Sequence, residues 1–231
     1  MKKILKLIII IILIILAISS VYIKKGYDMY KNAIEKTSIE EKIEQIKKKK
    51  NYTEISEMPD MYKNAVLAVE DHRFYKHKGI DIISIGRAVV NDIKSRGFEE
   101  GGSTITQQLA KNIYFTQEKK IERKIAEVFM SAELEKKLKK DEILELYLNT
   151  SYFGDGKYTV REASKHYFNK EPSEMSDYES IMLAGIPNAP SVYVPTKNPE
   201  LAKKRQKQVI NKMIKYKYLT KKQADKILKQ N

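Results

Sequence analysis

The sequence predicts a mainly α-helical protein whose body follows one N-terminal membrane-spanning helix. Three observations predict it: an uncharged run from Leu7 to Ile23, apolar residues at helical spacing through the remainder, and no long alternating strand pattern. Nine Gly and six Pro in 231 residues leave long stretches in which helices continue unbroken. With 42% hydrophobic and 32% charged residues, the chain can build one core under a charged surface, and several membrane spans are excluded. This length holds one globular domain plus an anchor, and therefore one active site.

Lys2, Lys3 and Lys6 make residues 1–6 a short cytoplasmic N-terminus, and residues 7–23 form the anchor, close to the roughly 20 apolar residues that span a bilayer. A cleaved signal peptide competes with this reading. The Ile/Leu run is long for such a peptide, however, and Ala17-Ile18-Ser19 is a poor cleavage site. Basic residues ahead of the span place the body outside the cytoplasm. Residues 24–53, ending near the run Lys47 to Lys50, read as a juxtamembrane stalk whose lysines face solvent or anionic lipid headgroups. The body then covers residues 54–231.

Within the body, Tyr62, Ala65, Val66 and Val69 fall on one helical face, and Ile121, Ile125, Val128, Phe129 and Ala132 fall on another. Further helical stretches run near Asp141–Leu148, Tyr178–Ala184, Glu200–Lys215 and Thr220–Leu228. No internal repeat is present. A formal net charge of +14 attracts phospholipid, nucleic acid or a phosphorylated substrate, and a location outside the cytoplasm counts against nucleic acid. Zero Cys removes disulfides and thiolate chemistry. His72, His77 and His166 lack zinc-site spacing.

Three segments carry candidate chemistry. Glu70-Asp71-His72-Arg73-Phe74-Tyr75-Lys76-His77-Lys78-Gly79 closes the first body helix, with Gly79 as the expected terminator. Glu70 borders the apolar stripe, so partial desolvation would raise its pKa toward the range of a general base, whereas Asp71 points nearly opposite. Next, Gly101-Gly102-Ser103-Thr104 feeds a helix in which Thr104 and Gln107 have capping-box spacing. Such a helix start is an anion site or merely a well-capped helix. Gln107-Gln108 has no obvious packing use, and Lys111 follows. Third, Arg123 and Glu127 are four apart, away from the apolar stripe, as an exposed ion pair or as part of a cleft.

Taken together, EDHRFYKHKG, GGSTITQQLAKN, RKIAE, DEILELYLN and the closing AGIPNAPSVYVPTKNPELAKKRQKQVINKM resemble the peptidoglycan glycosyltransferases of glycosyltransferase family 51, over about Glu54 to Leu228. Because the chain stops there, it resembles the monofunctional enzymes more than class A penicillin-binding proteins. The resemblance implies a lysozyme-like helical large lobe and a smaller membrane-leaning lobe, expected here around Ile82, Ile83, Ile85, Val89, Val90, Ile93 and Phe98 with Lys94 and Arg96 interspersed. A plain buried core explains the same apolar residues.

The resemblance also assigns roles. Glu70 matches the catalytic base and Glu127 the second essential carboxylate, while Asp71, Ser103, Thr104, Gln107, Gln108, Lys111, Lys119 and Arg123 fall in the substrate site. Phe74, His77 and Gly79 look like shape-keeping members of the first motif. Lipid II and the growing lipid-linked strand are the implied substrates, with undecaprenyl pyrophosphate released, and other cell-wall synthesis proteins are implied partners. These residues make no cofactor certain, and whether a divalent cation such as Mg2+ is required is left open. Thr159 and Asn169 stand where relatives often have Gly, and Lys119 where many have Arg. Two other readings stay open: a lysozyme-like lytic enzyme, and an inert scaffold that binds cell-wall lipid.

Overall fold

The computed structural model describes residues 2–95, 101–116 and 118–229 and is helical throughout, with no strand among the described residues. Helix α1 (Lys2–Lys36) is a single uninterrupted rod. Its side chains from Ile4 to Ile23 stand exposed, as an apolar surface meant for lipid would. The rod does not end at the expected anchor boundary. Its C-terminal third packs on α6 (Ile121–Lys137), where Tyr27 meets the Phe129 ring edge-on at 5.3 Å between centroids and Tyr30 stacks on it at 5.9 Å.

Residues 24–53, expected as a stalk, are therefore part of the body. After α1, Ser38 caps α2 (Ile39–Lys47), and Ile39 and Ile46 are buried in the common core. Ile39, Ile43 and Ile46 repeat at helical spacing, an apolar face hidden in a strongly polar stretch. The following residues are strapped to α7 (Lys140–Leu148) and its end: Asn149 bonds both the amide and the carbonyl of Thr53 at 2.9 and 2.8 Å, and Glu145 accepts from the Ile55 amide at 2.8 Å.

Helix α3 (Asp60–Glu70) buries Tyr62, Ala65 and Val66, as its stripe predicts, against α9 (Asp177–Gly185) and α11 (Pro199–Lys215). It stops at Glu70, because Asp71 leaves helical geometry at φ −157°. Gly79 is thus not its terminator. Gly79 takes φ +87° nine residues later, and a Cβ there would come within 3.1 Å of the Ser131 carbonyl oxygen of α6. Between them, Asp81 caps α4 (Ile82–Ser95) by accepting from the amides of Ile83 and Ser84 at 3.1 Å. On α4, Ile82 and Ile83 are 80% and 62% exposed, and Ile85 and Val90 are exposed too, which overturns the buried-core alternative for this segment. Arg96 and Phe98 lie outside the described residues, as do the side chains of Val89, Ile93 and Lys94.

Helix α5 (Ile105–Tyr114) packs between α6 and α7. The remaining helices are α8 (Val160–Phe168), α10 (Pro190–Tyr193) and α12 (Lys221–Leu228). Both departures from the glycine pattern are accommodated on α8. Thr159 caps its start at φ −134°, accepting from the Glu162 amide, and needs no glycine freedom. Asn169 ends it in the left-handed region at φ 55°, which Asn adopts more readily than most residues.

Candidate active site

Glu70 is the last residue of α3, and it lines the smaller of two neighbouring cavities. One, of about 100 Å3, is lined by Glu70, His72, Arg87, Arg205, Lys212 and Tyr216 among others. The other, of about 520 Å3, is lined by Gln108, Lys111, Asn112, Tyr147, Tyr152 and Tyr158 among others, and Asn188 borders both. Gln108 connects them: its Nε2 donates to Glu70 Oε2 at 2.8 Å, and its Oε1 accepts from the Tyr147 hydroxyl at 3.3 Å. The other Glu70 oxygen, Oε1, is buried with no hydrogen-bond partner. Desolvation raises the Glu70 pKa, against the bond from Gln108 and the charges of Arg205 and Lys111. The position of Glu70 at the negative end of α3 acts in the same upward direction.

Adjacent to this carboxylate is a cationic cluster. Glu127, 1% exposed, pairs with Arg123 and with Lys124, whose Nζ lies 2.9 Å from Glu127 Oε2 and donates to Ser103 Oγ at 2.6 Å. Arg123 also donates to the Glu118 carbonyl. Desolvation, followed by the charges of Arg123 and Lys111, lowers the Lys124 pKa to about 8. Lys111 is lowered by desolvation and by Arg123, and held up by Glu70. The cluster carries three cations against one internal carboxylate, so it retains net positive charge for an anion. Across the cleft, His72 stacks on Tyr216 at 3.8 Å, and burial with the Arg87 charge lowers its pKa to about 4, leaving it neutral beside Arg87.

The expected site residues divide into two groups. Glu70, Gln108 and Lys111 line the two cavities, while Ser103, Arg123 and Glu127 are joined to one another through Lys124. Asp71, which also lines the smaller cavity, Thr104 and Gln107 are held in hydrogen bonds within the chain. Asp71 Oδ2 accepts from the Ile105 amide at 3.0 Å and from His77 Nε2 at 2.9 Å, so the start of α5 already holds an anion of this chain. Thr104 donates to the Gly79 carbonyl at 2.6 Å and completes with Gln107 the capping box that their spacing predicts. Lys119 is exposed. Arg87, Lys124, Arg205 and Lys212 escaped the sequence reading, although Arg205, Lys212 and Tyr216 are spaced seven and four apart along one helical face.

Asp71, His77 and Asp81 are close enough together to suggest a cation site. Their donor set does not fit one. Asp71 is engaged as above, while Asp81 accepts from Arg73 at 2.9 Å, from the Ser84 hydroxyl at 2.6 Å and from two backbone amides.

Residues 36–214 match the family described as Transglycosylase. The chain is 46% identical over 180 residues to penicillin-binding protein 1A of Neisseria cinerea, covering 78% of this chain and 23% of that protein. It is 48% identical over 170 residues to penicillin-binding protein 1F of Bacillus subtilis (strain 168), covering 74% of this chain and 24% of that protein. The chain thus spans about a quarter of the length of these curated relatives.

Proposed function

The chain belongs to the transglycosylase family, and from that premise we propose that it polymerises lipid II into peptidoglycan glycan strands at the outer face of the cell membrane. The observation that carries the reading is the placement of Glu70, a desolvated carboxylate that lines a cavity with Arg87, Arg205 and Lys212 and is bonded by Gln108 of a second cavity, which Lys111 also lines. Donor and acceptor each bear a lipid pyrophosphate, so a polymerase of this kind needs two anion sites flanking one base. Arg87, Arg205 and Lys212 supply one, and Lys111 in the larger cavity, with Arg123 and Lys124 as its electrostatic neighbours, supplies the other.

In the reaction, Glu70 takes the proton of the acceptor 4-hydroxyl as that oxygen attacks the anomeric carbon of the donor. The new C–O bond forms while the bond to phosphate breaks, inverting the anomeric centre and releasing undecaprenyl pyrophosphate. This leaving group departs as an anion, so Lys111, Arg123 and Lys124 replace the protonating acid that glycoside hydrolysis needs. Tyr152 and Tyr158, 41% and 58% exposed at the cavity rim, offer ring faces to sugars.

The exposed apolar side chains of α1 and α4 support attachment to a bilayer, and Lys2, Lys3 and Lys6 favour a cytoplasmic N-terminus. The cationic lining counts against a lytic enzyme, whose uncharged glycan would not use it. Incubating the full chain in detergent with labelled lipid II tests the proposal. Long, lysozyme-sensitive glycan is the expected product, and either loss of preformed glycan or binding without turnover would overturn it.

A further inference from the structure

Helix α1 is in contact with the helix that carries the cationic cluster. At Gly26, an added Cβ would lie 2.6 Å from Ile125 Cβ and 2.9 Å from the Glu122 carbonyl oxygen, so only glycine lets the two helices approach this closely. Glu122 and Ile125 alternate along α6 with Arg123, Lys124 and Glu127. Tyr27 and Tyr30 grip Phe129 one turn further on. Gly26 is only three positions beyond Ile23, the end of the uncharged run, and the helix between them is unbroken. At about 1.5 Å per residue, the apolar surface ends about 4.5 Å along the axis from the contact with α6.

We propose that α1 is a rigid strut as well as a tether: through the Gly26 notch it fixes the height and orientation of the Arg123–Lys124–Glu127 cluster over the bilayer, where the pyrophosphate of a lipid substrate lies. Gly26 is on this account a positioning residue. The inference rests on the proposed reading of the chain as a lipid II polymerase anchored by α1. A tether needs only attachment, and a flexible joint would serve it equally well. A strut needs continuity between the span and α6.

The test inserts Gly-Ser-Gly-Ser between Ile23 and Lys24 of the full chain. The insert lies outside the α1–α6 contact, so the body keeps its fold while the span is decoupled. Two assays are compared: long-chain lipid II in phosphatidylglycerol/phosphatidylethanolamine vesicles, and short-chain lipid II in detergent. The strut predicts a KM for lipid II raised at least fivefold in vesicles, with kcat and KM in detergent within twofold of the parent, and the variant still retained in carbonate-washed membranes. Gly26→Val, which drives α6 away, should lower kcat in detergent as well. Equal kinetics of the insertion variant and parent in vesicles would overturn the strut, as would normal kcat for Gly26→Val. Failure of the parent chain to make glycan in either setting would instead remove the polymerase reading on which the strut rests.

Discussion

The Gln108 amide holds Glu70 by a 2.8 Å hydrogen bond to Oε2, and is itself held by the hydroxyl of buried Tyr147. That bond stabilises the ionised carboxylate, so it opposes the upward pull of desolvation. Replacing Gln108 with Leu removes the donor. The Glu70 pKa should rise further, and because a base works only when ionised, the acidic limb of the kcat/KM profile should move to higher pH. A pH-rate series should also show at least a tenfold loss at pH 7. An unmoved limb would break the link between Gln108 and the base.

Asp71 should behave as a structural residue. Asp71→Ala strands the Ile105 amide and His77 Nε2 in the interior, at a cost of about 3 kcal/mol in stability. Asp71→Asn keeps an acceptor but loses the charge at the start of α5, costing about 1 kcal/mol. Urea unfolding measures both. The fraction of Asp71→Asn that is folded should bind lipid II with near-normal affinity, whereas a large affinity loss would return Asp71 to the substrate site.

These two residues mark how far the sequence was legible. The periodic stripes of α3, α11 and α12 were readable because each buries one face, α7 and α9 were readable as apolar runs buried on all sides, and Glu70 stood at a stripe edge where it was expected. The role of Gln107 was legible, because its spacing from Thr104 is that of a capping box, whereas the reach of Gln108 across to α3 exists only once α5 is packed. The stalk reading failed for a related reason. The acidic and basic residues around Ile39, Ile43 and Ile46 hid a short apolar face, and the Gly26 notch has meaning only once α6 is beside it. Lys124 and Arg205 were lost among many lysines because charge in a linear sequence does not reveal which cation faces the cleft.

Lys124 gives the alkaline side of the profile. With its pKa lowered to about 8, it loses its proton, and with it the attraction for phosphate, as pH rises through that value. The kcat/KM of the wild-type chain should therefore fall on an alkaline limb near pH 8. Lys124→Arg keeps the charge at all accessible pH and should remove that limb while retaining part of the activity at pH 7. A limb that persists unchanged in Lys124→Arg belongs to another group.

Glu127 is buried against two cations, so Glu127→Gln leaves Arg123 and Lys124 without their counter-charge. Breaking such a pair should destabilise the fold by about 3 kcal/mol, toward the low end of the range because Lys124 is half-exposed. Arg123→Gln in the same background should restore part of this, since the uncompensated charge is then gone. A double-mutant cycle in denaturant measures the coupling. Additive losses would show that the pair is not energetically joined.

Glu70→Gln separates the base from everything that surrounds it. The substitution preserves size and allows an amide rotamer that still accepts from Gln108 Nε2, so the cleft should keep its shape and the protein its stability. It also removes the penalty of burying an ionised carboxylate, so unfolding in denaturant should show a stability equal to or above the wild type at neutral pH. The sign follows from linkage: a carboxyl group whose folded pKa is raised destabilises the native state at every pH above its unfolded value, and its removal relieves that cost. Lipid II binding should persist, because the cations of both cavities are untouched. Turnover should fall by a hundredfold or more, within the ~10²–10⁴-fold typical of a lost general base. Residual activity should lack the acidic limb, since no group is left to ionise there. Folded Glu70→Gln protein that polymerises lipid II at a near-normal rate would remove Glu70 from the mechanism, however well the cleft is arranged around it.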